Sequence, residues 1–438
     1  MIPYRPVYLS VIVLLLVTFA APRVQAQANS DVDAPTQGQV DQLVKLLAHS
    51  QLNRRSQAHQ ALMTMGPMVL DLLPAESTQL PAEAISRLKT IRQDLYKQVA
   101  KQSTSATAIS ITGDFRLQEV LERISQQSGV EFKTESDTSR LIDVAFDQQP
   151  FWEVIDSVLD FVELDIAPFG AEHSSQFILV DRNENGISRS ELARYESVFR
   201  IAPIRVTKSK TFGNPAVDTT QLFMHVSWEP RIQPVLMQLA LKDVKAFDST
   251  GRDISPSNKD TVRTINLEGD SRFTELSLPL SPVSPEAKSI RSVTGHFETI
   301  LPARSESFSF PAVLAPDDNL PLVYSKAGVD VVLQALKNLD SKLVCDLKIH
   351  YKNAGRAFES HRGWVFKNPC VLVDSQGDLF QPLSRETIGQ GDNSVTFRFV
   401  FDSAVNLAKD TGWSIRYFTP TLLVERRIPF VLSGIPLP

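Results

Sequence analysis

The chain has little of the material from which common active sites are built. It holds two cysteines and seven histidines in 438 residues, with neither an HExxH run nor paired Cys–His spacing, so a zinc site has no local signature. Eighteen glycines leave few places for a phosphate-cradling loop, and no GxSxG elbow or dinucleotide fingerprint occurs. These absences favour a non-enzymatic protein. A basic surplus is also missing: 45 Lys and Arg stand against 50 Asp and Glu, a net charge of −5 that disfavours a nucleic-acid partner. After the N-terminus no segment approaches 18 uninterrupted apolar residues, so no membrane-spanning helix is expected in the mature chain.

What is present begins with an address. Arg5 precedes an apolar run from Val7 to Ala21, and Val24-Gln25-Ala26 places small residues where signal peptidase needs them. The run is shorter than the ~20 residues a spanning helix requires, which favours a cleaved signal peptide over 1–26 rather than an uncleaved anchor. The expected destination is the periplasm, the cell envelope or the exterior. Residues 27–38 are polar, small and proline-containing, the composition of a connector. Hydrophobic residues at 42% and charged residues at 22% are globular values, and the length predicts three or four units of roughly 100–200 residues each.

From 39 to 104 the apolar period is helical. Val40, Leu43, Val44 and Leu47 share one face, as do Ile85, Leu88, Ile91, Leu95 and Val99, with Gly66-Pro67 and Pro81 as punctuation. The stretch LLAHSQLNRRSQAHQALMTMGPMVLDLL resembles a HEAT-type repeat in which Gly66-Pro67 opens the second helix. A solenoid needs about three repeats to bury its faces and there is room here for fewer, so this segment is expected to dock as a cap on its neighbour.

Residues 105–184 repeat one phrase. A strand at Ala108–Thr112, a helix at Leu117–Ser128 and a strand at Val130–Lys133 are followed by a strand at Leu141–Phe146, a helix at Phe151–Val162 and further strands near Leu164–Ala167 and Phe177–Val180. The helices carry one-sided stripes, Leu117, Val120, Leu121 and Ile124 in the first and Trp152, Ile155, Val158, Leu159 and Val162 in the second, which predicts a two-layer α+β domain of βαββαβ order. From ISITGDFRLQEVLERISQQSGVEF through VAFDQQPFWEVIDSVLDFVELDI to FILV, the segment resembles the secretin and TonB-receptor short N-terminal domain. The resemblance implies a periplasm-facing module that makes protein–protein contacts; no plug, transmembrane barrel or secretin gate follows it.

The remainder is rich in short β runs with turn residues between them, the spacing of sandwiches. Two sets share landmarks. Asp248-Ser249-Thr250-Gly251 corresponds to Asp374-Ser375-Gln376-Gly377, and Ser289-Ile290-Arg291 with Thr294 corresponds to Ser414-Ile415-Arg416 with Thr419. Two tandem antiparallel β-sandwiches are therefore expected at 195–315 and 320–438, giving an α+β multidomain chain.

A few residues invite chemistry. Asp181, Asn183 and Asn185 place oxygen ligands at alternate positions before Gly186, as a calcium loop does, but Ser188 and Leu192 stand where that loop needs an apolar residue and a bidentate carboxylate; the alternative is an Asn-Gly turn. Calcium is the one cofactor this pattern raises. Cys345 and Cys370 form either a disulfide or two buried thiols on neighbouring strands. Glu359, Ser360 and His361, with His350 and Asp374, are the best acid–base cluster, although adjacent strand residues point to opposite faces. Trp228, Trp364 and Trp413 would serve as a sugar platform if exposed and as core if not. The expectation is an exported envelope adaptor that binds another envelope protein. Its rivals are a polysaccharide or peptidoglycan hydrolase, with two carboxylates ~5–9.5 Å apart, and a sugar-binding protein.

Overall fold

The computed structural model describes residues 35–74, 79–173, 175–183, 186–212, 217–265, 267, 271–312, 320–339, 342–352, 355, 362–402 and 412–438. The expected signal peptide lies outside them. Among the described residues no helix is long and apolar enough to cross a membrane. The chain is predominantly β, with several antiparallel sheets and few helices.

The first helix, α1 (Gln37–Leu46), starts inside the expected connector, because Thr36 and Gln39 form a capping box: Gln39 N–H donates to Thr36 Oγ1 and Thr36 N–H donates to Gln39 Oε1. It packs with α2 (Leu52–Thr64) and α3 (Ala82–Thr104) around Val40, Leu47, Leu62, Val69, Leu88 and Ile91. Gly66-Pro67 opens a helix as expected, but a short 3-10 helix over Gly66–Asp71 rather than an α-helix. One expectation is corrected: Ile85 is 48% exposed because Ala84, not Ile85, falls in line with Leu88, Ile91 and Leu95.

The next unit runs β1 (Ala108–Arg116), α4 (Leu117–Ser128), β2 (Glu131–Thr134), β3 (Leu141–Pro150), α5 (Phe151–Val162), β4 (Leu164–Ile166) and β5 (Gln176–Asp181). The expected single sheet is replaced by two. β1 and β3 pair antiparallel, while β2, β5 and β4 form a second sheet in that order, with β2 and β5 parallel. Each helix touches strands of both sheets, and one core joins them. In α5, Phe151, Trp152, Val154, Ile155, Val158 and Leu159 are all buried, more than one stripe can hold, because the helix is also covered from the first sandwich, where the Val198 carbonyl accepts Trp152 Nε1 at 3.2 Å.

The β region contains β6 (Arg194–Glu196), β7 (Phe199–Thr211), β8 (Val217–Trp228), β9 (Leu236–Ala240), β10 (Lys245–Asp248), β11 (Val262–Ile265), β12 (Phe273–Leu280) and β13 (Ser289–Pro311). It continues through β14 (Leu322–Lys326), β15 (Val329–Leu339), β16 (Lys342–Tyr351), β17 (Cys370–Val373), β18 (Leu379–Phe380), β19 (Ser384–Gly391), β20 (Ser394–Asp402) and β21 (Ser414–Pro436). One sheet, β12-β8-β7-β6, covers the first core and another, β14-β15-β16-β20-β19, covers the second. A third sheet serves both. Its axis is the antiparallel pair β13 and β21, in register from Ser289 opposite Pro436 to Pro311 opposite Ser414.

The two long strands exchange their ends. β13 gives Ile290, Val293, Phe297 and Leu301 to the first core and Phe308 and Phe310 to the second; β21 gives Ile415 and Tyr417 to the second and Ile428, Phe430, Leu432 and Ile435 to the first. This corrects the tandem boundaries at 195–315 and 320–438, since the last strand of the chain completes the first sandwich. Burying those four side chains is worth about 1.5–3 kcal/mol each, together comparable to a domain's whole net stability. The strands start alike, at Ser289-Ile290-Arg291 and Ser414-Ile415-Arg416, and end alike, at Pro311 and Pro436, so the pairing relates the two repeats by a local twofold.

The landmark turns match in detail. Asp248 Oδ1 accepts the Thr250 and Arg252 N–H groups, as Asp374 Oδ1 accepts those of Gln376 and Asp378. In each turn the glycine N–H donates to the aspartate carbonyl, and Gly251 and Gly377 have φ of 90° and 93°, a region open to glycine.

Candidate functional site

The α/β unit carries an open groove of about 1010 Å³ between α4 and the β2–β5 ladder. Its first wall follows from the period of α4. Leu117, Val120, Leu121 and Ile124 turn into the core, which leaves Gln118, Glu122 and Ser125 as a neighbouring stripe facing the groove. Gly129, at φ of 72°, ends the helix and releases the chain into β2. The opposite wall is the β2–β5 ladder, which turns Phe132 toward the core and Lys133, Ile178 and Val180 to its other face. Behind it Phe132 meets Phe177 edge-on at 5.9 Å between centroids, and Phe177 stacks on Trp152 at 5.7 Å, so the wall rests on packed rings.

Two properties define what this groove can do. Among the described residues β2 is the terminal strand of its sheet, paired to β5 on one side only, so its other edge keeps backbone donors and acceptors without a strand partner there. The lining is also acidic: Glu122, Glu135 and Asp181 outnumber Lys133, whose ammonium lies 3.2 Å from Glu172.

The groove stands on a rigid base. Asp156 of α5 is fully buried and accepts hydrogen bonds from Arg189 Nε at 2.8 Å, from Arg200 Nε and from Tyr195 Oη at 2.8 Å, the last two on β7 and β6 of the first sandwich. Burial and then the Asp156 charge raise the Tyr195 hydroxyl far above its ordinary value, so it stays a donor. Burial alone would raise Asp160, but hydrogen bonds from Ser190 Oγ and from the Ser190 and Arg189 N–H groups outweigh it and hold the carboxyl below its usual range. Glu229, at the end of β8, accepts the Thr107 N–H at 2.8 Å and Arg231 Nε at 2.7 Å, and Arg231 also reaches the Ser103 carbonyl in α3. Helical cap, α/β unit and first sandwich are thus fastened at one junction. The cap itself packs mainly on the long strands, through α3 contacts with β13 and β21 and the bond from Arg426 Nη2 to Thr104 Oγ1 at 2.7 Å.

The residues singled out from sequence are scattered. Asp181 Oδ1 accepts Ser136 Oγ at 2.8 Å at the mouth of the groove, the Asn183 carbonyl accepts the Gly186 N–H at 2.7 Å, and Arg182 between them pairs with Asp160. Asn185 lies outside the described residues. Among the described residues no group of three or more His, Cys, Asp and Glu side chains could hold a metal ion. His350 sits on β16 with Nδ1 3.5 Å from Asp330, whereas Asp374 closes its own turn after β17 in another sheet; Glu359, Ser360 and His361 lie outside the described residues. Trp228 belongs to the first core and Trp413 to the second, and Trp364 is half-buried edge-on to Tyr351, so the three share no surface. Cys345 and Cys370 are buried free thiols, but on strands of opposite sheets rather than on neighbouring strands.

The groove was missed in the sequence because its walls come from separate elements. The junction left one signal: Asp156 interrupts the apolar face of FWEVIDSVLDFV, and a lone carboxylate there requires buried partners. Comparison with protein-family models, with curated proteins and with solved structures finds no match to this chain.

Proposed function

We propose that the chain is an exported, non-catalytic adaptor of the cell envelope, and that it receives an extended segment of a partner protein in the groove of its α/β unit. The observation that carries this reading is the edge of β2, unpaired among the described residues, beside a partly apolar groove with an acidic rim. An extended chain laid along that edge gains backbone hydrogen bonds, its side chains on one face meet Phe132 and those on the other approach Ile178 and Val180, and basic residues answer Glu122 and Glu135. The strand and helix order shared with the secretin and TonB-receptor short N-terminal domain supports the same use, and the leader at 1–26 supports the compartment. The duplicated sandwiches serve in this reading as the frame that holds the groove away from the rest of the chain.

The test is to pan a random peptide library against residues 35–438 and against the same chain carrying Glu122→Lys and Glu135→Lys. Both substitutions are on the groove wall and outside every core, so the fold is expected to survive. Peptides of alternating basic and apolar residues that bind the first protein and not the second support the proposal; equal binding to both, or enrichment of no peptide, removes it.

A further inference from the structure

Cys345 and Cys370 sit on β16 and β17, in the two sheets that close the second core, and are 0% and 3% exposed. They occupy one level of that core. Cys345 is paired in its ladder with Phe399 and Cys370 with Tyr417, and the Phe399 and Tyr417 rings are tilted against each other with centroids 6.4 Å apart. The Cys345 thiol is near enough to act on Cys370. In the first repeat, Val244 occupies the place equivalent to Cys370, four residues before the landmark aspartate, so the thiol pair belongs to the second sandwich alone.

We propose that Cys345 and Cys370 are a cross-sheet disulfide site, closed within one chain by thiol–disulfide exchange while the second sandwich folds in an oxidising compartment. The step balances. One thiolate attacks a small-molecule or protein disulfide and releases a thiol; the second cysteine then displaces the other half, so the pair loses two electrons and two protons and the reagent leaves as two thiols. Inter-sheet bonds of this kind suit a sandwich, because each joins strands that no backbone ladder connects. Timing follows from burial. The thiolate is the nucleophile, and burial together with the adjacent Cys345 pushes the Cys370 thiol well above its ordinary range, so exchange on the closed core is slow and the bond forms before closure.

Intact mass spectrometry after export to a bacterial periplasm tests the bond, with denaturation and N-ethylmaleimide labelling in the absence of reductant. The expected result is a chain about 2 Da lighter than its reduced form that takes no label, with one peptide pair joining Cys345 to Cys370. Two labels per chain, or cysteines linked between chains, would overturn the site. Oxidised glutathione supplied to refolding chains and to folded, reduced chains tests the timing. Cross-linking is expected at least about tenfold faster in the refolding sample, and equal rates would overturn closure during folding.

Discussion

The two sandwiches are built on one plan and finished differently. Both begin from the same aspartate–glycine turn and the same Ser-Ile-Arg start of a long strand, yet the surroundings of the turn diverge. Asp248 is fully buried and takes further hydrogen bonds from Thr250 Oγ1 at 2.6 Å and the Ser284 N–H at 2.8 Å, whereas Asp374 sits half-exposed with its two turn bonds. The first sandwich is fastened to the α/β unit through Arg200 and Glu229. The second meets the first through Trp364 against Val235, Leu236 and Ile300, and fills its core with Cys345, Cys370 and a buried polar set in which Asn368 Nδ2 donates to Tyr417 Oη at 3.0 Å and to Thr419 Oγ1 at 2.7 Å. A repeat can therefore preserve strand register and turn geometry while its core chemistry is replaced, because register depends on backbone pairing and the core only on volume and satisfied polar groups.

The largest way to break this comparison is to remove residues 424–438. Although they belong to the second repeat by sequence, their loss should unfold the first sandwich and leave the second comparatively protected, a pattern that hydrogen exchange reads directly. Protection lost first in the second sandwich would contradict the strand exchange. Next comes the junction: Asp156→Asn leaves Arg189 and Arg200 without their buried counter-charge, a loss of about 3–5 kcal/mol in urea unfolding. No substitution in the second sandwich should loosen the α/β unit to that extent.

The landmark aspartates give a finer contrast. Asp248→Ala should cost about 3 kcal/mol, since several bonds to a buried carboxylate are lost, and Asp374→Ala about 1 kcal/mol by the same chemical-denaturation assay. The contrast extends to pH. Burial opposes the charge on Asp248, but its hydrogen bonds to Thr250, Ser284 and Arg252 prevail and hold its folded pKa well below the usual carboxylate range. A depressed folded pKa means that its contribution is complete above the unfolded value of about 4 and declines as pH falls below it. Acid titration should show that decline in the parent and its absence in Asp248→Asn. The smallest test looks for equality: Gly251→Ala and Gly377→Ala meet open space and the same positive φ, so each should cost about 1 kcal/mol, and thermal melts that differ widely would argue against equivalent turns.

Much of the local structure was legible. The helix stripes of α4, the strand order of the α/β unit and the paired turns could be read because each rests on neighbours a few residues away, as Asp374 does on Gln376 and Asp378. The groove was not legible, for Glu122 and Val180 are remote in sequence and their approach depends on packing. The same holds for the thiols: alternation places Cys345 on the buried face of a strand, yet nothing local says that Cys370 will face it from the opposite sheet.

By itself the sequence determined the modular order, the faces of the helices and the equivalence of two repeats, because hydrophobic period and turn chemistry act over short range. Tertiary structure alone decided that β13 and β21 would each divide between two cores, that one α/β sheet would become two, and that Asp156 would bind the first sandwich. Those outcomes turn on which of several compatible strand edges and faces meet, a choice made by pairing and burial across some 40 residues of chain in the α/β unit and more than a hundred between β13 and β21.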